Sequence, residues 1–169
     1  HQVEAVDAVR AGFDEADRGK LIMACGTGKT FTALRIAEEH AGAGKSVLFL
    51  APSIALVAQS LKEWTAECAV PMRPFAVCSD ATAGKAIEGE NATAYDLAIP
   101  PTTDPVALVE AGVHQLPSDE MTVVFSTYQS IQVVSDMQAK TGHVFDLVVC
   151  DEAHRTAGVA SVGEKDSAF

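Results

Sequence analysis

The chain has 169 residues, of which 23 are acidic and 12 basic, so its formal net charge at pH 7 is −11. A hydrophobic fraction of 48% and a charged fraction of 21% exclude intrinsic disorder, and the length favours a single domain. The acidic balance excludes a domain that binds nucleic acid by general phosphate neutralisation alone, so any such contact would need a few placed groups and other domains.

The cysteines and the longest uncharged run bear on the cellular setting. Cys25, Cys68, Cys78 and Cys150 lie too far apart for paired metal ligands, which argues against zinc and favours a reducing, intracellular environment. The uncharged run over residues 46–61 is shorter than the roughly 20 residues that a membrane helix needs. We therefore expect a cytoplasmic protein.

Helix-like and strand-like segments alternate along the chain. In order, the apolar spacing predicts helix 1–13, strand 21–24, helix 29–40, strand 47–51, helix 54–67, strand 75–78, strand 121–126, helix 127–140 and strand 145–150. Thr127 is the expected cap of the helix that follows it. This alternation favours an α/β fold, a mostly parallel sheet with helices on both faces.

The alternation weakens over residues 80–120, which contain four of the seven prolines. Asp104 and Pro105 form a good N-cap and first-turn pair for one short helix, which would carry Val106, Val109 and Val113. We interpret residues 80–120 as an elaborated crossover within one domain.

A glycine-rich turn between a predicted strand and a predicted helix is the strongest chemical signal. Residues 23–30 read MACGTGKT, in which Gly26 and Gly28 let successive N–H groups point at one anion. The following helix adds its positive end, Lys29 can reach the β- and γ-phosphates, and the Thr30 hydroxyl can bind Mg²⁺. Met23 stands where the usual phosphate-loop pattern has its first glycine. The predicted nucleotide-binding residues here are Cys25, Gly26, Thr27, Gly28, Lys29 and Thr30.

Two adjacent carboxylates end the last predicted strand. Residues 145–154 read FDLVVCDEAH, and in a parallel sheet the end of this strand lies on the same edge as the phosphate loop. Asp151 can then complete the Mg²⁺ shell, and Glu152 can deprotonate a water for attack on the γ-phosphate. Lys29, Asp151 and Glu152 are therefore the predicted catalytic residues.

Together these segments resemble the superfamily 2 helicases and translocases, specifically the first of their two RecA-like P-loop NTPase domains. Residues 151–154 match the D-E-A-H box and residues 26–30 match motif I. Residues 52–59 (PSIALVAQ) look like motif Ia, and residues 125–129 (FSTYQ) resemble the next motif that contacts nucleic acid. The pattern looks closest to the motor subunits of restriction enzymes and related DNA translocases. RNA helicases of the D-E-A-D type fit less well, because His154 replaces their final Asp.

The resemblance implies roles for further residues. Gln2 is similar to the glutamine that reads adenine, and His154 is similar to a residue that couples nucleotide state to the second domain. The implied contacts with a nucleic-acid backbone are Ser53, Gln59, Thr127 and Gln129. A structural role remains open for several of them, since Ser53 and Thr127 can act as helix caps and Gln2 can be a solvated side chain.

The resemblance also implies the function. It makes residues 1–169 the N-terminal RecA-like domain of a motor that uses ATP and Mg²⁺ to move on duplex DNA, within a restriction-modification enzyme. The second RecA-like domain and its arginine finger would lie outside these residues, so we expect the 169 residues alone to hydrolyse ATP poorly. The alternatives are the ATPase domain of an RNA helicase and a non-catalytic nucleotide switch.

Overall fold

Five α-helices and four strands alternate in the computed structural model, which describes residues 2–24, 26–79 and 99–153. The helices are α1 (Gln2–Phe13), α2 (Lys29–His40), α3 (Ile54–Glu67), α4 (Pro105–Glu110) and α5 (Ile131–Thr141). The strands are β1 (Ser46–Ala51), β2 (Met72–Val77), β3 (Met121–Thr127) and β4 (Leu147–Cys150). The predicted helices 29–40 and 54–67 are thus confirmed at both ends.

The four strands form one sheet in the order β2-β3-β1-β4, and every neighbouring pair is parallel. The register pairs Ala51 with Thr127 and Leu50 with Cys150. Strands β1, β3 and β4 therefore end side by side. We call the residues that follow them, 52–53, 128–130 and 151–153, the carboxyl edge. In parallel sheets this is the edge where ligands bind.

Helices cover both faces of the sheet, as the alternation predicts. On one face, α2 and α3 pack over strands β1, β3 and β4, and the rings of Phe49, Trp64 and Phe125 meet with their centroids 5.2 to 5.6 Å apart. On the other face, α4 and α5 cover the alternate strand residues, among them Leu48 and Val124. Fully burying one such side chain stabilises the fold by about 1.5 to 3 kcal/mol.

The predicted strand over residues 21–24 is wrong. Leu21 is 41% exposed and Ile22 is 81% exposed, and no strand among the described residues lies beside them. An apolar run forms a strand only where a neighbour satisfies its N–H and C=O groups, and an apolar pattern alone cannot supply that neighbour.

The expected cap at Thr127 is also wrong. A 3₁₀ turn over Tyr128–Ser130 follows β3, and α5 begins only at Ile131. The Thr127 hydroxyl donates to the Ser130 hydroxyl at 3.2 Å and caps no backbone N–H. The helix starts later than predicted because the 3₁₀ turn carries the chain around the end of β3.

The connection between the parallel neighbours β2 and β3 is described only from residue 99 onward, because residues 80–98 lie outside the described ranges. Thr102 bridges to Val77, and the Asp104 carboxylate accepts a hydrogen bond from the Val106 N–H at 2.8 Å. With Pro105 in its first turn, α4 is the short helix that the sequence predicts. Its Leu108 is buried against the sheet.

No helix within residues 2–24, 26–79 and 99–153 combines the length and the apolar character needed to cross a membrane.

Candidate functional site

The phosphate loop is shaped by two glycines in the left-handed region. Gly26 has φ 76° and Gly28 has φ 84°, and between them the Thr27 hydroxyl donates to the Ala24 carbonyl at 2.7 Å. Gly28 is also the N-cap of α2, and as a glycine it offers no side chain to cap the first turn of that helix. The first backbone N–H groups of a helix, at its positive dipole end, are suited to binding an anion. Cys25, the other predicted member of the loop, lies outside the described residues.

The Gln2 side chain packs directly on this loop. Its Nε2 donates to the Thr27 carbonyl at 3.1 Å. A Cβ at Gly28 would clash with the same Nε2 atom, so a side chain at residue 28 would require the flexible Gln2 side chain to move aside. The hydrogen bond from Gln2 to Thr27 connects α1 to the phosphate loop. The adenine contact of Gln2 stays a prediction.

The start of α2 is anchored in the core below it. The buried indole of Trp64 donates from Nε1 to the Thr30 carbonyl at 3.0 Å. The apolar spacing of α3 is enough to place Trp64 in the core, but the partner of its N–H depends on how α2 and α3 pack. This bond anchors the first turn of α2, which carries the half-buried Thr30, to α3.

The loop lysine and the second carboxylate of the D-E-A-H segment are in contact. Lys29 Nζ lies 2.8 Å from Glu152 Oε1, although the two residues are 123 positions apart in the sequence. Glu152 has φ 50°, an uncommon value for a residue with a side chain, and its N–H donates to Asp151 Oδ1 at 3.0 Å. The structure thus brings Lys29, Asp151 and Glu152 to one place at the carboxyl edge.

Asp151 extends the backbone hydrogen bonding of the sheet by one residue beyond β4, and its ionised side chain is disfavoured in this half-buried position. Its N–H donates to the Leu50 carbonyl at 2.8 Å. Burial, together with the negative charge of Glu152, raises the pKa of the Asp151 carboxyl, and this outweighs the lowering by the Glu152 N–H and by Lys29. A bound cation beside Asp151 would relieve this cost.

These residues fit a magnesium-bound nucleoside triphosphate. The backbone N–H groups at the start of α2 and the Lys29 ammonium would be donors for phosphate oxygens. The Thr30 hydroxyl and the Asp151 carboxylate are the oxygen ligands that Mg²⁺ prefers. The fit therefore rests on a turn shaped for an anion and on a half-buried carboxylate that a cation would stabilise.

Two predicted nucleic-acid contacts, Ser53 and Gln129, lie together at the carboxyl edge. The Ser53 hydroxyl accepts a hydrogen bond from the Leu56 N–H at 3.3 Å, which confirms it as the N-cap of α3. The exposed Gln129 places its Nε2 3.5 Å from the Pro52 carbonyl, so the loops after β1 and β3 touch.

The other predicted contacts are arranged differently. Gln59 is exposed on α3, and its Nε2 donates to Glu63 Oε1 at 2.8 Å. Thr127 is only 4% exposed and its hydroxyl is bonded to Ser130, so its side chain faces the interior in this conformation. His154, the predicted coupling residue, lies outside the described residues.

Sequence reasoning missed the role of Tyr128. Its hydroxyl donates to the Asp151 carbonyl at 2.9 Å, which links the turn after β3 to the carboxylates after β4. No motif signals this bond, because it depends on the order of the strands in the sheet.

A family model described as "Type III restriction enzyme, res subunit" matches residues 1–165. The chain belongs to this family. No curated protein sequence matches the chain. The match to this family model confirms the resemblance to the superfamily 2 motors of restriction enzymes.

Two solved structures of restriction-modification enzymes are also similar to this chain. A nuclease-deletion mutant of the Type ISP restriction-modification enzyme LlaGI, in complex with a DNA substrate mimic, is 39% identical over 95% of this chain, with a TM-score of 0.76. The ATP-dependent Type ISP restriction-modification enzyme LlaBIII, bound to DNA, is 38% identical over 95% of this chain, with a TM-score of 0.80. Both confirm the RecA-like fold. The chain spans 13% of the first enzyme's chain and 10% of the second's.

Proposed function

We propose that this chain is the ATP-binding motor domain of a DNA translocase, in which ATP hydrolysis drives movement on duplex DNA within a restriction-modification enzyme. The observation that carries the proposal is the contact of Lys29 with Glu152 at the carboxyl edge, beside a glycine loop that opens a helix. Family membership supports it, as does the likeness to two restriction-modification enzymes, one bound to DNA and one in complex with a DNA substrate mimic.

The nucleotide would be held by the start of α2. The N–H groups after Gly28 and the Lys29 ammonium would bind its phosphates, and Gln2 would sit beside the base. The Thr30 hydroxyl and Asp151 would hold Mg²⁺. When bound, Mg²⁺-ATP supplies the γ-phosphate to be cleaved and a metal charge that stabilises the oxygens around it.

Glu152 is the proposed general base. In the structure its carboxylate is paired with Lys29. Phosphate oxygens compete for the same ammonium, so nucleotide binding would exchange one partner of Lys29 for another and release Glu152. The released carboxylate would then orient a water and accept its proton. Glu152 would therefore be available as a base only when a nucleotide occupies the site.

DNA contact would use neutral groups at the carboxyl edge. Ser53 and Gln129 lie together there, and Gln59 is exposed on the helix that begins at this edge. Side chains of this kind position a protein on the phosphate backbone without reading its sequence. With a net charge of −11, most of the phosphate neutralisation would come from other parts of a longer protein.

The remaining partners follow the family pattern. We propose that a second RecA-like domain of the same longer protein closes on this one, that His154 senses the closure, and that the protein acts in the cytoplasm. An arginine finger from the second domain would raise turnover by roughly 10³ to 10⁵. The 169 residues alone should therefore hydrolyse ATP slowly.

The test is ATP turnover of the longer protein with no nucleic acid, with duplex DNA, with single-stranded DNA and with RNA, each beside Lys29→Ala. We expect strong stimulation by duplex DNA that is lost in the variant. Stimulation by RNA alone would reassign the domain to the RNA helicases. Tight ATP binding without turnover on any of these would instead support the nucleotide switch.

A further inference from the structure

Tyr128 joins two parts of the carboxyl edge that are not neighbours in the sheet. It lies in the turn after β3, and its hydroxyl donates to the Asp151 carbonyl after β4 at 2.9 Å. Strand β1 lies between β3 and β4. The Tyr128 side chain therefore crosses the end of β1 to reach its acceptor. Its ring is only 7% exposed, so the bond is shielded from competing water.

The acceptor belongs to the peptide group that sets the direction of Glu152. The Asp151 carbonyl and the Glu152 N–H are the two ends of one planar unit. Tyr128 binds the first end, and Asp151 Oδ1 accepts from the second end at 3.0 Å. The next torsion along the chain is the φ of 50° at Glu152. An uncommon backbone conformation persists only where its surroundings hold it, and these two hydrogen bonds hold this one.

The other side of the same turn faces the proposed DNA contacts. Gln129 follows Tyr128 directly, is exposed, and reaches to within 3.5 Å of the Pro52 carbonyl. Pro52 precedes Ser53, the other proposed contact at this edge. A displacement of Gln129 by a bound backbone would therefore move the residue that holds the Asp151–Glu152 peptide.

We propose that Tyr128 is a positioning residue that couples DNA contact to ATP hydrolysis, by transmitting movement of the turn after β3 to the peptide that orients Glu152. The inference rests on the proposed function, since it needs a DNA-stimulated ATPase. It names the residues that would connect the proposed DNA contact to the proposed base: movement of Gln129 would act on Tyr128, and Tyr128 on Glu152.

The test compares the longer wild-type protein with Tyr128→Phe, which keeps the ring and removes only the hydroxyl. We expect kcat in the presence of duplex DNA to fall about fivefold, the effect of one lost hydrogen bond of ordinary strength. The KM for ATP and the affinity for duplex DNA should change by less than about twofold. Basal turnover should fall by less, because only the stimulated rate depends on the movement transmitted from the turn after β3. The decisive quantity, the ratio of DNA-stimulated to basal turnover, should therefore be lower in the variant than in the wild type.

Thr141→Val is the matched control. It also removes a hydroxyl that donates to a backbone carbonyl, that of Met137 at 2.9 Å, but within α5 and away from the carboxyl edge. This variant should keep the full stimulation ratio, and the thermal midpoints of both variants show whether either change acts only through stability.

The outcomes separate the inference from the proposed function. A DNA-stimulated wild type whose Tyr128→Phe variant is equally stimulated would overturn the coupling role and leave the proposed function standing. Equal losses of basal and stimulated turnover would also overturn it, because they would indicate structural support alone. A wild type that DNA does not stimulate would contradict the proposed function itself.

Discussion

Two regions that meet at the carboxyl edge are built differently. The region proposed to bind the nucleotide, residues 26–30 with residues 151–152 (the nucleotide half), combines three positive φ values with an ion pair between Lys29 and Glu152. The region proposed to contact DNA, residues 52–53 with residues 127–130 (the DNA half), is held by neutral hydrogen bonds and a helix cap. The uncommon φ of Glu152 and its ion pair with Lys29 are features typical of a site where chemistry takes place. The neutral hydrogen bonds of the DNA half are suited to a reversible contact with DNA.

The largest expected effect comes from Lys29→Ala. It removes the cation that both the phosphates and Glu152 need, so ATP affinity and turnover should fall together, turnover by about 10²-fold or more. Steady-state ATPase with duplex DNA and a nucleotide-binding titration check this. A variant with near-wild-type turnover would remove Lys29 from the site.

Glu152→Gln separates binding from chemistry. A glutamine keeps the size of the side chain and cannot accept the proton from water, so ATP should still bind while turnover falls by roughly 10²-fold or more. Single-turnover kinetics beside an ATP-binding curve distinguish the two. Unchanged turnover in this variant would contradict the assignment of Glu152 as the general base.

Gly28→Ala tests the shape of the loop. Its φ of 84° opposes a side chain, and a Cβ would also displace the flexible end of Gln2, so we expect ATP affinity to fall about tenfold, for a strain of about 1 to 2 kcal/mol. Gly12→Ala is the control, because nothing lies within 4 Å of a Cβ there. It sits in α1, where alanine should stabilise the helix by about 0.5 to 1 kcal/mol. Equal ATP affinities in the two variants would contradict the described loop.

Ser53→Ala probes the DNA half. It removes the N-cap of α3, so the free energy of unfolding should fall by about 1 kcal/mol. If Ser53 also touches the phosphate backbone, affinity for duplex DNA should fall while ATP affinity stays the same. Ser53→Asp keeps a capping side chain but adds a negative charge. Restored stability with DNA affinity still reduced would identify the second role, and full DNA affinity in both variants would exclude it.

The smallest expected effect concerns Asp151 and pH. Its pKa is raised in the folded protein, so folding is opposed by its ionisation. This cost is absent below the ordinary value of 3.8, builds as the pH rises through it, and is complete above the raised pKa. Without nucleotide or metal, Asp151→Asn should therefore raise the thermal midpoint at pH 7, and the gain should shrink toward pH 4. A midpoint below that of the wild type at pH 7 would contradict this account.

The sequence predicts the nucleotide half of the edge better than the DNA half. Glycines, a lysine and adjacent carboxylates are residue types whose spacing carries their chemistry, so the sequence predicts that residues 26–30 and residues 151–152 share one edge, although the strand predicted before the loop is wrong and the contact between Lys29 and Glu152 is seen only in the structure. The pairing of Tyr128 with Asp151 depends on strand order, which periodicity does not specify. The same reason explains why the predicted strand over residues 21–24 is wrong, since an apolar run does not show which strand, if any, lies beside it.

Translocation itself tests the central claim most directly. The longer protein is mixed with duplex DNA that carries a short third strand downstream of its entry site, and displacement of that strand is followed in time with and without ATP. We predict ATP-dependent displacement that is delayed in proportion to the distance, and none with Lys29→Ala. ATP turnover stimulated by duplex DNA with no displacement at any distance would contradict the account.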